Sequence, residues 1–260
     1  MAAAGEVSAA SATDAMTRDT VLAGCQERDW MPDPGAVLSF GDEEQASVTE
    51  VFRALRSRLC QLQKSSPLKS LLIASALAGE GRSFVALNLA RIMALQPECR
   101  VLLIDGDLRN STLHSALGTS SIPGLSEYLL QELEEFGIMQ RGDAGNFFFI
   151  PSGRSVTGST ELVGNGRLKA LMDKVEPLFD WIIVDSPATA PVSDACLLAD
   201  YLDGVLMVVR SRATPYDVVR KACQRFREES LVGVVLNEGA ADSKPHASSS
   251  GRKSTLKLRG

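Results

Sequence analysis

From residue 68 to residue 237 the chain alternates short apolar runs with longer segments whose apolar residues recur at helical spacing. The runs lie at 71–75, 101–105, 146–151, 179–185, 204–209 and 233–237. Nearly unbroken apolar character over so few residues is how a strand covered on both faces reads, and three phenylalanines in a row at 147–149 fit the same pattern. Between the runs, helical spacing predicts helices over 82–95, 124–135, 166–177 and 194–201, the first stopping ahead of Pro97. One more opens at Thr214-Pro215, with proline at its first position. Strands that alternate with helices predict an α/β fold, one mainly parallel sheet with helices on both faces.

Ahead of this region, Val48, Val51, Phe52, Leu55, Leu59 and Leu62 form one helical stripe, and Ser47 with Glu50 has the spacing of a capping box. Residues 1–46 are rich in Ala, Ser, Gly, Asp and Pro without sustained periodicity, so they are expected to be a disordered arm, with Val37, Leu38 and Phe40 as candidates for local docking. Residues 239–260 form a basic Ser/Lys/Arg tail, also expected to be disordered. The folded domain is thereby placed at 47–238.

Composition narrows the function. Charged residues sum to 27 − 32 = −5, which argues against a protein that coats nucleic acid. Five scattered cysteines with no C-x-x-C fit reduced thiols rather than a disulfide framework, and two histidines are too few for a histidine-based metal centre. With no apolar run long enough to span a bilayer and no secretory leader pattern, the expected location is cytoplasmic, with the basic tail as a possible contact to the inner membrane face.

The candidate chemistry gathers where the runs end. Strand 71–75 leads into a glycine-bearing turn and then a helix, the layout of a P-loop, whose backbone N–H groups cradle phosphates. The pattern G-x-x-x-x-G-K-[ST] is met as Ala76-x-x-x-x-Gly81-Arg82-Ser83, with arginine in the lysine slot. Two later strands end in carboxylates, Asp105 with Asp107 two residues on, and Asp185. A nucleoside triphosphate site needs backbone donors, a cation near the β and γ oxygens, a hydroxyl for Mg2+ and carboxylates around the metal. Taken singly, each aspartate also reads as a turn or helix cap. Glu50, Arg53 and Arg56 lie along one helix side and read either as local ion pairs or as a surface for another subunit.

Together these residues resemble the bacterial tyrosine kinase family, the ATPase domains of exopolysaccharide and capsule export. The motifs are E-x-x-R-x-x-R at Glu50, Arg53 and Arg56; G-E-G-R-S-x-x-x-x-N-L-A from Gly79 to Ala90; L-L-I-D-G-D-L-R from Leu102 to Arg109; and I-I-V-D-S-P from Ile182 to Pro187. P-G-L-S at Pro123 and G-V-V-L-N ending at Asn237 extend the likeness. The resemblance implies a P-loop fold with Walker A, A′ and B motifs, and ATP and Mg2+ as cofactors. It assigns nucleotide binding to Ala78, Gly79, Glu80, Gly81, Arg82, Ser83, Phe84 and Asn237, the metal to Ser83, Asp107 and Asp185, and catalysis to Arg82, Asp105 and Asp107. It also implies a homo-oligomer built through Glu50, Arg53 and Arg56, and a membrane polysaccharide co-polymerase or chain-length adaptor as partner.

The sequence departs from that family at Arg82 for lysine, at Ala78 and Ala188 for prolines, and in having no tyrosine after Tyr216. Tyr128 and Tyr201 fall in expected helices and read as packing residues. Lysine is a slim point charge and arginine a broad planar fork, so the substitution is expected to spare nucleotide binding more than phosphoryl transfer. An inactive nucleotide-sensing scaffold of the same machinery and a partition-type ATPase are the alternatives.

Overall fold

The computed structural model describes residues 18, 20–142, 145–189 and 194–238. The expected basic tail at 239–260 and most of residues 1–19 lie outside the described residues. Among the described residues the strands are β1 (Gln26–Glu27), β2 (Ser70–Ser75), β3 (Val101–Asp105), β4 (Gln140–Arg141), β5 (Phe147–Ile150), β6 (Trp181–Asp185), β7 (Gly204–Arg210) and β8 (Leu231–Asn237). They form one sheet in the order β1-β4-β5-β3-β6-β2-β7-β8. Every pair is parallel except β4 with β5. The helices are α1 (Ala46–Ser65), α2 (Arg82–Ala94), α3 (Leu113–Leu117), α4 (Leu125–Leu129), α5 (Ser159–Val163), α6 (Arg167–Val175), α7 (Asp194–Ala199) and α8 (Tyr216–Cys223).

Two apolar cores, one on each face, explain the unbroken runs. In β2, Leu71 and Ile73 enter one core while Leu72 and Ala74 enter the other, and β3 divides Leu103 from Leu102 and Ile104 in the same way. The phenylalanine triplet obeys this alternation. Phe147 and Phe149 meet the edge of Trp30 with ring centroids 5.3 and 6.3 Å away, and Phe148 turns to Phe179 at 5.2 Å on the opposite face. Helix α1 lays Phe52, Leu55 and Leu59 into the core shared with α2, with Val48, Val51 and Leu62 half-buried at its margin. Tyr128 is buried, as its helical position suggests, whereas Tyr216 is largely exposed.

Three local expectations are corrected. The capping box at Ser47 and Glu50 does not form. Helix α1 opens at Ala46, two residues before a Ser47 cap would start it, on a short 3-10 turn (Glu43–Gln45) whose preceding Asp42 carboxylate accepts the Glu44 N–H at 3.0 Å. Pro215 sits just before α8 in extended backbone rather than at its first helical position. The helix expected over 124–135 closes after Leu129 and gives way to irregular chain and a 3-10 turn (Glu135–Gly137).

The chain from residue 20 to residue 46 is ordered onto the domain rather than being a free arm. Leu22 and Cys25 are buried, β1 pairs with β4, and Asp33 N–H reaches Ala116 O at 2.9 Å. Asn88, fully buried in α2, is the main anchor. Its Oδ1 accepts Leu38 N–H at 2.8 Å, and its Nδ2 donates to Ala36 O at 3.1 Å and Phe84 O at 2.9 Å. Arg91 adds a bond to Leu38 O at 2.8 Å and lies over the Phe40 ring. A strap held by single contacts needs no repeating apolar pattern. No described helix is long and apolar enough to cross a membrane.

Asn88→Ala leaves buried backbone groups of the strap without partners, so it is expected to cost about 1–3 kcal/mol in urea denaturation. Tryptic cleavage after exposed Arg28 should accelerate in the same variant. Unchanged stability and cleavage would show that the strap is held elsewhere.

Candidate functional site

β2 ends at Ser75 near the centre of the sheet, and the turn that follows delivers the chain to the N-terminus of α2. Gly79 and Gly81 both take positive φ, 81° and 87°. At Gly81 a side chain is excluded twice over, since a Cβ there would also lie 1.9 Å from Asn237 Nδ2. That amide, at the end of β8, donates to Glu80 O at 2.9 Å. The buried Glu80 carboxylate accepts from Leu77 N–H at 2.7 Å, Arg210 N–H at 3.1 Å and Thr214 Oγ1 at 2.5 Å. The turn is thus braced against the loop after β7 and the tip of β8. No side chain caps α2, which leaves its N-terminal N–H groups and their dipole facing the turn.

The carboxylates arrive from the neighbouring strands. Asp105 and Asp185 are register partners across β3 and β6, at the C-terminal edge where ligands of parallel sheets sit. Gly106 lets the chain pass close by, since its N–H donates to Asp185 O at 2.8 Å and a Cβ would stand 2.7 Å from that oxygen. Asp107 Oδ1 accepts the N–H groups of Arg109 at 3.2 Å and Asn110 at 2.9 Å. Asp105 accepts from Ser111 Oγ at 2.7 Å and Asp107 N–H at 3.2 Å.

Arg82 joins these groups. Its Nε donates to Asp185 Oδ1 at 2.8 Å, its Nη2 to Asp107 Oδ2 at 3.2 Å, and its Nη1 to Ser75 Oγ at 3.1 Å. Ser83 Oγ takes the other oxygen of Asp185 at 2.5 Å. Burial pushes the Asp105 carboxyl up to about 7, helped by the negative charge of Asp185 and opposed by the Ser111 hydrogen bond. Asp185 is also raised by burial, against the pull of Arg82 and Ser83. Burial thus works against the charged form of both facing carboxyls, and Arg82 answers Asp185 and Asp107 but not Asp105.

Of the residues singled out from sequence, Gly79, Glu80, Gly81, Arg82, Ser83, Asp105, Asp107, Asp185 and Asn237 come together here. Ala78 lies exposed in the turn. Phe84 turns its ring away to pack edge-on against Phe52 at 6.1 Å, so only its backbone faces the turn. On α1, Arg53 pairs with Glu50 at the exposed surface, while Arg56 reaches back to Ile92 O at 2.9 Å within its own domain. Sequence reasoning missed Ser75, Ser111 and Asp194. Buried Asp194 accepts from Ser159 Oγ at 2.8 Å and from Thr160, and pairs with Arg109 at 3.3 Å. A strand-end serine and an aspartate opening a short helix carry no signal that separates them from ordinary caps. No cluster of three or more His, Cys, Asp or Glu residues suited to a metal ion occurs among the described residues.

A carboxyl that holds its proton more tightly folded than unfolded stabilises the fold most in acid, and that contribution is lost as pH rises from about 4 through about 7. Asp105→Asn carries no charge to desolvate, so it is expected to gain on wild type by on the order of 2 kcal/mol between about pH 5 and about pH 8. Urea denaturation at the two pH values reads this, and parallel profiles would show that Asp105 is not the protonated member.

No protein-family model matches the chain. The chain is 30% identical over 197 residues to the tyrosine-protein kinase YwqD of Bacillus subtilis (strain 168), covering 75% of this chain and 83% of YwqD. It is 33% identical over 204 residues to the putative tyrosine-protein kinase AmsA of Erwinia amylovora, covering 77% of this chain but only 28% of AmsA. The fold superposes on the kinase domain of the Escherichia coli tyrosine kinase ETK with a TM-score of 0.73 at 30% identity, covering 84% of this chain and 87% of that one. A ParA family ATPase from Chlorobium tepidum TLS shares the fold alone, with a TM-score of 0.53 at 19% identity over 65% of this chain and 74% of its own. With P-loop, strand-end carboxylates and overall fold in agreement, the chain belongs to the bacterial tyrosine-protein kinases.

Proposed function

We propose that this chain is a nucleotide-binding, tyrosine-kinase-type P-loop subunit of exopolysaccharide or capsule assembly, in which Arg82 slows phosphoryl transfer. The observation that carries the reading is the Arg82 fork. It keeps a cation at the family's lysine position but ties that cation to Asp107 and Asp185. The phosphates of ATP would lie on the turn from Ala78 to Ser83 and the N-terminus of α2, where Gly79 leaves open space around its Cα. Asn237 would brace the loop through its bond to Glu80 O.

Ser83, Asp107 and Asp185 offer hard oxygen atoms of the kind that holds Mg2+, although Arg82, Ser83 and two backbone N–H groups already engage the carboxylates. When bound, the ion neutralises phosphate charge that builds up during transfer. This chain's residues then divide the remaining work. Asp105, whose carboxyl is pushed up to about 7, would in its ionised form accept the proton of an attacking hydroxyl, and Ser111 holds its orientation. Glu80 keeps the turn shaped for phosphate oxygens. Arg82, drawn back by two carboxylates, is poorly placed to follow a moving phosphoryl group.

The same fork favours a second reading, a nucleotide-sensing scaffold without turnover. In either case Glu50 and Arg53 would face a neighbouring copy of the chain, with a membrane polysaccharide co-polymerase or chain-length adaptor as the partner at the cytoplasmic membrane face. Arg56 contributes less to that surface, because its guanidinium is committed to α2.

A fluorescent ATP analogue should saturate the full chain, and failure to saturate at millimolar nucleotide would sink both readings. Arg82→Lys is expected to raise ATP turnover by about tenfold or more. An equal rate in both proteins would exonerate Arg82. If the chain self-associates through α1, Glu50→Ala should shift light scattering toward the monomer, and an unshifted mass would exclude this face.

A further inference from the structure

We infer that Arg82 stands in for the divalent cation, so that this chain binds its nucleotide without depending on Mg2+. The inference rests on the nucleotide-site reading above and adds to it which cation serves the phosphates.

Oxygen by oxygen, the carboxylates are already engaged. Asp185 gives Oδ1 to Arg82 Nε and Oδ2 to Ser83 Oγ. Asp107 gives Oδ2 to Arg82 Nη2 and Oδ1 to the two backbone N–H groups of Arg109 and Asn110. Each of the three guanidinium nitrogens makes one bond, to three different residues, so both the plane and the position of the fork are fixed. The group is hardly wet, with side-chain exposures of 11% for Arg82, 6% for Asp107 and 2% for Asp185.

An ion held by Ser83 and Asp185 must break the Ser83 bond and draw Asp185 away from Arg82. Stripping the fork away would leave buried charges unpaired on both sides, which low-dielectric surroundings penalise heavily. A lysine differs at this point. Its ammonium gathers three rotatable donors at one point on a flexible stem rather than spreading them over a rigid plane, so it re-aims easily and concedes the carboxylates to a metal more readily. The guanidinium, by contrast, already delivers positive charge beside the turn, and Ser83 stays on Asp185 rather than on an ion. The ligand class that follows is a free nucleoside di- or triphosphate, uncomplexed by metal.

The test is titration of the full chain with ADP and ATP by calorimetry, once with Mg2+ and once with EDTA. Wild-type affinities in the two buffers are expected to agree within about threefold, whereas Arg82→Lys should gain about tenfold or more from Mg2+. A wild-type gain of about tenfold from Mg2+ would overturn the inference while leaving the nucleotide site standing. Absence of binding in both buffers would overturn the functional reading itself. The wild-type comparison needs no variant, so it decides the matter even if thermal unfolding shows Arg82→Lys to be misfolded. A folded Arg82→Lys that gains nothing from Mg2+ would remove Arg82 as the cause.

Discussion

Three carboxylates at one sheet edge, all nearly cut off from solvent, impose the constraint on which this site depends. Asp105 and Asp185 face each other across adjacent strands, and Asp107 follows two residues later. Like charges in such surroundings cannot all ionise unless something answers them. The chain answers with one guanidinium and two serine hydroxyls. Arg82 bridges Asp107 and Asp185, Ser83 and Ser111 each satisfy one oxygen, and burial pushes the Asp105 carboxyl up to about 7. Gly106 is part of this solution, because only a residue without Cβ lets Asp107 follow Asp105 so close to Asp185 O.

The rigidity of the turn has a separate source. Glu80 and Asn237 tie it to the loop after β7 and to the end of β8, so strands on the far side of β2 hold the shape of a turn whose carboxylates come from the near side. Arg210 reinforces the connection by pairing with Glu238 just beyond β8. A shift of the 210–214 loop would therefore reach the phosphate cradle through one carboxylate. The site is thus assembled from both halves of the sheet, with α2 rising between them.

Much of this was legible in the sequence because apolar runs between charged ends have few alternatives. A run such as Val101 to Asp105, met between helical segments, reads as a covered strand that presents its last residue at an edge, and two such runs placed the three aspartates beside the turn. What stayed hidden depends on single contacts. The strap at 20–46 is held by Asn88, Arg91 and Trp30 one bond or ring at a time, which leaves no periodic trace. Ser47 and Glu50 have the spacing of a cap, yet Asp42 starts the helix earlier through a 3-10 turn that spacing rules do not anticipate. Glu80 read as one more loop residue, because nothing local shows that its carboxylate meets partners 130 and 134 residues away. The direction of Arg82 was equally hidden. Its charge could be read, but whether the fork faces phosphate or carboxylate is decided by tertiary placement.

The contacts of Arg82 change the part that the aspartates play. In a site with lysine, strand-end carboxylates at these positions read as metal ligands, and their presence argues for chemistry. Here they also neutralise Arg82. Losing Asp185 would strand a guanidinium exposed by only 11% and leave Ser83 without its acceptor. Losing Arg82 would leave Asp107 and Asp185 buried without their shared counter-charge. The residues form an interlock in which each is needed to keep the others buried, whether or not a phosphoryl group ever moves. A complete set of motif carboxylates is therefore weak support for turnover in this chain, and the contact between Arg82 and its partners is the feature on which activity turns.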